Sequence, residues 1–327
     1  MKFNEISLDG QGGGSVATRL LQSGMKANAL RTNAILRKDE WNQYDTAIIR
    51  AAQLRLTGVQ DLMSKGLVYS FANGLGKTVL EYEDMSDVNE AEMNMDGLTR
   101  GKNDTVEFDL KFLPLPIIHK SYMISARTLA ASRNGNTPLD TTNAERAARK
   151  VAEKMETLLF LGSNSFTFGA GTIYGYIDAP NRNQGSLVHA WDASGVTGTD
   201  IINDVKRMKQ ASINARHYGP WTIYVPTAYE TKLDEDFKTY SDKTIRERIL
   251  DIAGVSDVKV ADFLTTGNVL MVEMVPETVR LVQGLPVTNI EWQTEGNMMF
   301  HFKVMTICVP QIRADQNGRS GITHFTA

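Results

Sequence analysis

The feature that most restricts the fold is a long, two-limbed excursion of the chain over residues 75–108. Two segments with alternating apolar and polar residues, "KTVLEYED" and "DTVEFDLKFLPL", flank about twenty polar residues rich in Asp, Glu, Asn, Met and Gly. Alternation of period two on both sides of such a spacer predicts two strands that pair and project. A two-stranded projection buries little surface of its own. The chain is therefore expected to be completed by contacts with neighbouring molecules.

The first limb of this excursion carries a strong excess of acidic side chains. Seven acids occur there without an intervening Lys or Arg: Glu81, Glu83, Asp84, Asp87, Glu90, Glu92 and Asp96. Arg100 and Lys102 lie on the return limb. The order of the acids lacks the ligand spacing and the sixth-position glycine of a calcium loop. Because crowded like charges repel each other, a basic surface is expected to lie against this limb.

Residues 1–38 are predicted to form an extended arm. They contain six basic residues against two acidic ones, together with the flexible stretch "GQGGGS". A segment of this composition buries little by itself and becomes ordered against a neighbour. The basic residues closest to the following helix are Arg31, Arg37 and Lys38. A neighbour's arm lying on the acidic limb is the contact that this charge pattern predicts.

Two amphipathic helices are predicted on either side of the excursion. The first begins at Asp39 and covers "DEWNQYDTAIIRAAQLRLTGVQDLM". The second covers "TTNAERAARKVAEKMETLLFLG", where Thr142 and Glu145 predict a capping box and Gly162 predicts the end. Its apolar stripe consists of Ala144, Ala148, Val151, Met155, Leu158 and Leu159. Its predicted four-apart charge pairs are Glu145 with Arg149 and Arg149 with Glu153.

The C-terminal half alternates between helical and strand patterns. Helices are predicted over "TDIINDVKRMKQAS", "TAYETKLDEDF" and "TIRERILDIAG". Strands are predicted over "WTIYVP", "VKVADF", "NVLMVEMV", "TVRLVQG" and "MMFHFKVMTICVPQI". This order predicts an α+β fold whose sheet is largely antiparallel or mixed.

Residues Gly74 to Thr78 read Gly-Leu-Gly-Lys-Thr, like the end of a phosphate-binding loop. That loop requires a further glycine where this chain has Phe71, and a helix after it, whereas "TVLEYE" predicts a strand. A glycine turn is therefore predicted. The alternative of a nucleotide hydrolase depends only on Lys77 and Thr78.

No other pattern predicts catalysis, a cofactor or a metal site. The histidines are dispersed, without the spacing of metal ligands: His119, His189, His217, His301 and His324. His301 is predicted to be a hydrogen-bonded or exposed strand residue. Cys308, the single cysteine, is predicted to be a buried strand thiol, and its being single excludes a disulfide within the chain. The chain is therefore expected not to be an enzyme.

Charge and hydropathy argue against two further classes of protein, nucleic-acid-binding modules and membrane proteins. A net charge of -3 and a pI near 6.0 disfavour a monomeric nucleic-acid-binding module, because such modules carry a basic excess. No run of about 18 apolar residues predicts a membrane span, and the N-terminus lacks the apolar core of a signal peptide. We expect a soluble protein without a membrane partner.

The order of these parts resembles the major capsid proteins of tailed bacteriophages, which have the HK-97-like fold and share it with bacterial encapsulin shells. The resemblance covers nearly the whole chain. It is carried by "LRKDEWNQYDTAIIRAAQLRLTGVQDLM", "ERAARKVAEKMETLLFLG" leading into "GTIYGYID", "VLMVEMVPETVRLVQG" and "FHFKVMTICVPQI".

The resemblance implies a division of the chain into six parts. These are an N-terminal arm (1–38), a helix leading to the extended loop (39–74), the extended loop (75–108), a peripheral domain with its spine helix (109–195), an axial domain (196–286), and return strands of the peripheral domain with a C-terminal tail (287–327). Gly74 and Gly76 are then expected to be hinge or turn residues at the root of the loop. Some relatives carry an N-terminal scaffolding segment that a protease removes, and with about 38 residues before its first helix this chain is expected to lack it or to be mature.

The function that the resemblance implies is assembly into pentamers and hexamers of an icosahedral shell that encloses double-stranded DNA in a virion. Portal, scaffolding and decoration proteins are the expected partners, and the host bacterial cytoplasm is the expected place of assembly. The alternative is an encapsulin shell loaded with enzyme cargo. The expected contacts between subunits involve Arg31, Arg37, Lys38, Lys77, Glu81, Glu83, Asp84, Asp87, Arg100 and Lys102. Some relatives join subunits through a loop lysine, a position that Lys77 and Lys102 share, but no motif here matches the partner asparagine or the assisting glutamate.

Overall fold

The computed structural model describes residues 46–48, 57–85, 95, 108–134, 141–238, 243–294, 298–315 and 317–327. Its helices are α1 (Thr57–Ser64), α2 (Ala126–Asn134), α3 (Thr142–Leu161), α4 (Gly198–Asn214), α5 (Glu230–Leu233) and α6 (Ile245–Leu250). Its strands are β1 (Val68–Ser70), β2 (Val79–Met85), β3 (Phe108–Pro114), β4 (Ile118–Ser125), β5 (Ser163–Phe168), β6 (Gly171–Ile173), β7 (Asn183–Ser186), β8 (Trp221–Pro226), β9 (Val255–Ala261), β10 (Asn268–Glu273), β11 (Val279–Thr294), β12 (Met299–Ile312) and β13 (Ile322–Thr326). Short 3-10 turns cover Gly74–Gly76 and Thr227–Tyr229.

A four-stranded sheet supports the long helix α3. Its strand order is β1-β11-β12-β4, antiparallel except where β1 runs parallel to β11. Strands β11 and β12 form a long ribbon, with lengths of 16 and 14 residues. Helix α3 packs against β4 and β12, and its apolar stripe is fully buried in the resulting core.

A five-stranded sheet forms the second layer, with the order β7-β13-β10-β8-β9. It is mixed, as predicted, because β7 pairs with β13 and β8 with β9 in parallel, whereas β10 is antiparallel to both of its neighbours. One face packs on α4 and α6 around Trp191 and Trp221. The other face contributes Tyr224, Leu270 and Ile322 to the core under α3.

Helix α3 has the predicted bounds but a different N-terminal cap. The N-cap is Thr141, not Thr142, and its Oγ1 donates to Oε1 of Glu145 at 2.9 Å instead of capping a backbone N–H. The capping box predicted at Thr142 is therefore wrong, because the helix begins at Thr142 itself, one residue earlier than that box requires. Gly162 ends the helix as predicted, at φ 69°, where residues other than glycine are strained. The ion pair that the structure gives Glu153 is with Lys150, at 2.6 Å.

One other predicted helix falls only partly within the described residues, and another is shorter in the structure than its pattern suggested. Of the first predicted helix, residues 46–48 and α1 are helical, and the remainder lies outside the described residues. The helix predicted over "TAYETKLDEDF" reduces to a 3-10 turn followed by the four-residue α5, and the chain then makes a bridge between Asp236 and Thr244. Among the described residues, no helix combines the length and the apolar character needed to cross a membrane.

Cys308 lies at the centre of the ribbon and is buried, as predicted. Burial raises the pKa of its thiol to about 12. The nucleophilic thiolate is therefore scarce at neutral pH. We expect Cys308 in the native protein to react with a thiol reagent at least about 100-fold more slowly than in the urea-unfolded protein. Equal rates in the two states would contradict this burial.

Candidate assembly surface

The predicted excursion begins and ends as an antiparallel pair of strands, β2 and β3. The register places Glu81 opposite Phe112 and Glu83 opposite Leu110. These four side chains share one face, on which Glu81, Glu83 and Leu110 are exposed. We call this face of β2–β3 the outer face. The outer face presents carboxylates beside apolar groups. The described residues of one copy do not cover Glu81, Glu83 and Leu110.

The inner face of the same hairpin packs on the body of the protein. Leu80 opposes Leu113 and both are buried, whereas Tyr82 opposes Lys111 and both are half-buried. At the base, the N–H of Leu115 donates to the carbonyl of Thr78 at 2.9 Å. The hairpin is therefore anchored at its root, while its outer face remains available.

The root of the hairpin is a tight glycine turn, as predicted, and not a phosphate-binding loop. The 3-10 turn Gly74–Gly76 leads directly into strand β2, so no helix follows to present its N-terminus to a phosphate. Gly74 packs against the backbone of Gly284 in β11, so closely that an added Cβ would lie 2.2 Å from the Gly284 carbonyl oxygen. The Lys77 ammonium lies over the Phe71 ring, 5.5 Å from its centroid.

A second small hairpin enlarges the exposed surface near the root. Strands β5 and β6 pair next to β3, in a region where no strand was predicted from the sequence. Phe166 and Phe168 on β5 are exposed, Phe168 to 52%, and Ile117 beside them is exposed to 46%. Apolar side chains grouped in this way mark interaction sites. Their signal in the sequence was the alternation of "NSFTF" before Gly169.

Helix α1, which leads into the root, is tied to the body by buried polar groups that the sequence analysis missed. The Glu156 carboxylate on α3 accepts from the N–H groups of Gly58 at 2.6 Å and Val59 at 3.2 Å. Burial raises the pKa of Glu156 to about 7, although these two hydrogen bonds act in the opposite direction. A glutamate in an apolar helix stripe was the available signal, but only the fold shows its donors.

A second buried carboxylate joins the same helix to the five-stranded sheet. Asp61 accepts from the hydroxyl of Tyr224 at 2.9 Å and forms an ion pair with Lys259. Burial is the largest single effect on Lys259 and opposes its charge, but the hydrogen bonds and charges of Asp61 and Asp257 together outweigh burial and raise the pKa of Lys259. Lys65 donates to Thr222 at 2.6 Å, while burial lowers its pKa. The segment that enters the hairpin is thus held by both layers of the fold.

Few of the expected contact residues fall in the described part of the chain. Glu81 and Glu83 are exposed on the outer face, and Lys77 lies at the root. Asp84 pairs with Asp109 in the backbone ladder, but its side chain is outside the described set. The others lie outside the described residues altogether: Arg31, Arg37, Lys38, Asp87, Arg100 and Lys102. The contacts expected of all these residues remain predictions.

The histidines do not converge on one site, although His119 lies beside Ile117 and Phe166. His301 is a strand residue whose Nε2 lies 2.7 Å from the Thr294 hydroxyl, as predicted, and it stacks on Trp292. His324 lies between Arg182 and Asn268, and burial lowers its pKa to about 4. Within the described ranges, no group of three or more His, Cys, Asp or Glu side chains is placed to hold a metal ion.

Comparisons with known proteins agree with this architecture. A family model described as "Family of unknown function (DUF6260)" matches residues 28–325. The virus-like particle from Pyrococcus furiosus superposes with a TM-score of 0.63 at 16% identity, covering 87% of this chain and 98% of that one. The capsid of Myoviridae Phage XM1 superposes with a TM-score of 0.63 at 13% identity, covering 83% and 92%. The chain therefore has the HK-97-like fold, as predicted.

Similarity to a curated protein is also found at the level of sequence. The Type 1 encapsulin shell protein EncA of Myxococcus xanthus is 25% identical over 190 residues, which is 58% of this chain. The matched part spans 60% of the length of EncA.

Proposed function

The chain belongs to the family of unknown function DUF6260, and on that premise we propose that it is the major capsid protein of a tailed bacteriophage. Copies of it form the pentamers and hexamers of an icosahedral shell around double-stranded DNA. The observation that carries the proposal is the anchored, projecting β2–β3 hairpin, whose outer face exposes carboxylates and Leu110 that a single copy does not cover.

The mechanism is association between many copies and involves no catalysis. Exposed apolar groups on β3 and β5 are removed from water when a neighbour covers them, and stable interfaces between subunits often bury about 2,000 to 5,000 Å². The net charge of -3 fits a lining that holds DNA non-specifically and weakly. Portal, scaffolding and decoration proteins complete the proposed virion, which assembles in the cytoplasm of the host bacterium.

We also propose the domain boundaries that the resemblance implies, with the peripheral domain over 109–195 and the axial domain over 196–286. Two hydrophobic clusters support this division in outline, although Tyr224 and Leu281 of the proposed axial range belong to the first cluster and Trp191 of the proposed peripheral range belongs to the second. One surrounds α3 and the four-stranded sheet, and the other lies between α4 and the five-stranded sheet. Strand β13 extends the second layer, since Phe325 belongs to its cluster. The region 287–327 thus serves both layers.

An encapsulin shell loaded with enzyme cargo is the second candidate. The sequence match to EncA favours it. Both candidates use the same association of copies. They differ in what the closed particle contains.

Electron microscopy of the expressed protein tests the shared part of the proposal. We expect closed icosahedral particles built from this chain. Nucleic acid together with a portal and tail in particles from the natural source would identify a virion, whereas bound enzyme without a genome would identify an encapsulin. A compact monomer that resists proteolysis at high concentration and forms no particles would overturn both candidates.

Reversing the charge of the outer face tests the proposed contact with a neighbour's basic arm, which contains Arg31, Arg37 and Lys38. Glu81→Lys with Glu83→Lys replaces two exposed carboxylates on β2 by ammonium groups. We expect at least a tenfold smaller yield of closed particles at low salt, because attraction becomes repulsion. The yield is measured by sedimentation and microscopy.

The control is the pair Glu81→Gln with Glu83→Gln, which removes the charges without reversing them and is expected to have an intermediate effect. Circular dichroism verifies that all variants are folded. Unchanged particle yield in the charge-reversed variant would exclude the arm as the partner of this face.

A further inference from the structure

A cavity lies where the projecting hairpin meets the body of the protein. Its volume is about 250 Å³, and the side chains that give it its chemistry are Tyr82, Lys111, Tyr174, Asn181 and Arg313. Tyr82 and Lys111 come from the inner face of β2–β3, Arg313 follows the end of β12, and Tyr174 and Asn181 follow β6. The cavity is therefore shared between the hairpin and both neighbouring segments. We call it the root cavity.

The root cavity is positively charged. Lys111 and Arg313 line it, and none of the lining residues in the described part of the chain is acidic. A third cation, Arg280, lies beside Arg313. Burial lowers the pKa of Arg280, and the positive charge of Arg313 lowers it further. A bound anion would offset the repulsion between Arg280 and Arg313.

Arg313 also has an unused hydrogen-bond donor. Its Nε is buried and has no partner among the described residues. A buried guanidinium N–H without an acceptor is destabilising, so such an atom indicates a missing partner. A guanidinium presents its donors in a planar fork that matches the oxygens of a carboxylate or a phosphate.

We propose that the root cavity is an oxyanion site, with Arg313 and Lys111 as the binding cations. The amide of Asn181 supplies a further polar contact, and Tyr82 and Tyr174 form the walls. Because Lys111 belongs to the hairpin and Arg313 to the body, one bound oxyanion ties the hairpin to the body. Such a site goes beyond shell formation, because it makes the orientation of the hairpin depend on a bound ligand.

The oxyanion has two candidate sources. One is a free anion such as inorganic phosphate. The other, which depends on the proposed shell, is a carboxylate from the acidic limb of a second copy, where seven Asp and Glu residues lie between Glu81 and Asp96. The cavity binds an oxyanion in either case.

Titration of the full-length protein with inorganic phosphate tests the site. At ionic strength held constant with chloride, we expect saturable binding with a dissociation constant on the order of 1 mM. Arg313→Gln should weaken it at least tenfold, and Lys111→Gln, the second variant if the first does not fold, should weaken it as well. Arg127→Gln, on the exposed surface of α2, is the matched control and should bind like the unmodified protein.

A synthetic peptide of residues 81–96 distinguishes the sources. Binding of this peptide that competes with phosphate and requires Arg313 would assign the site to a second copy, whereas phosphate binding alone would assign it to a free anion. The comparison peptide carries Asn and Gln in place of Asp and Glu. The site is refuted if neither ligand binds in a manner that depends on Arg313 or Lys111. Because phosphate binding does not require particles, failure here is separate from failure of the shell proposal.

Discussion

Gly74→Ala is expected to destabilise the folded chain by about 3 kcal/mol or more and to abolish particle formation. The new Cβ would lie 2.2 Å from the carbonyl oxygen and 2.5 Å from the Cα of Gly284. Both are backbone atoms of β11, which pairs with β1 on one side and β12 on the other. The collision is therefore relieved only by moving the ribbon or by withdrawing the root of the hairpin. Either movement displaces the outer face.

The control for Gly74→Ala is Gly66→Ala, in the turn between α1 and β1. Gly66 has a φ of 71°, but no atom lies within 4 Å of an added Cβ. Only the strain of a left-handed residue is expected there, about 1–2 kcal/mol. The urea midpoint and the particle yield are measured for both variants. A larger loss for Gly66→Ala than for Gly74→Ala would show that the contact with Gly284 does not hold the root.

The contact also bears on the predicted hinge. Gly74 lies in a turn, but it is packed against another backbone, so bending at this residue requires the contact with Gly284 to open. The hinge remains a prediction. If Gly74→Ala forms any particles, their shape will show directly whether the orientation of the hairpin depends on this contact.

As the pH rises from about 4.5 to about 7, the titration of Glu156 is expected to lower the stability of the folded chain, against an opposing gain from His324, whose pKa burial lowers to about 4. Burial raises the pKa of this carboxyl from its ordinary 4.5 to about 7, and the charges of Asp61 and Asp262 raise it further. In this interval the folded chain binds a proton at Glu156 that the unfolded chain has released, so raising the pH favours unfolding. A pKa shift of this size corresponds to about 3 kcal/mol in the free energy of unfolding. The loss is complete above about pH 7.

Glu156→Gln removes this titration, so the urea midpoint of the variant should rise relative to that of the unmodified protein between about pH 5 and about pH 8. Glu153→Gln is the matched control, on the same helix but at the surface in an ion pair with Lys150. It should retain the pH dependence of the unmodified protein. If the urea midpoint varies with pH in the same way for the unmodified protein, Glu156→Gln and Glu153→Gln, the pKa of Glu156 is not raised. The midpoints are followed by tryptophan fluorescence.

The local patterns of the sequence predicted most of the regular elements. The 3.6-residue stripe of α3 and the alternation in β2 and β3 each depend on neighbours a few positions away, so they can be read without the fold. Gly162 ends α3 for a local reason too, since its φ of 69° suits glycine. The strand after Lys77 excluded the phosphate-binding loop on the same local grounds. The predicted N-cap of α3 was wrong because the sequence has two adjacent threonines, Thr141 and Thr142, either of which suits that position.

The candidate site was predictable only in outline. The exposure of Glu81 and Glu83 follows from alternation, because their neighbours Leu80 and Tyr82 turn inwards. The β5–β6 hairpin was missed because its strands are short and lie among glycines. The capping boxes of α4 and α6, at Thr197 and Thr244, were also present in the sequence and were overlooked.

What the sequence determined by itself is therefore most of the regular elements, their order, and the exposure of Glu81 and Glu83 on the outer face. The tertiary structure alone decided that β13 inserts between β7 and β10 and that Glu156 receives donors from a helix 97 and 98 residues earlier. It also brought Lys111 and Arg313 to one cavity. Helical and strand periodicity arises from short-range hydrogen bonding. Burial, shifted pKa values and cavities arise from contacts between distant segments, and those exist only once the chain has folded.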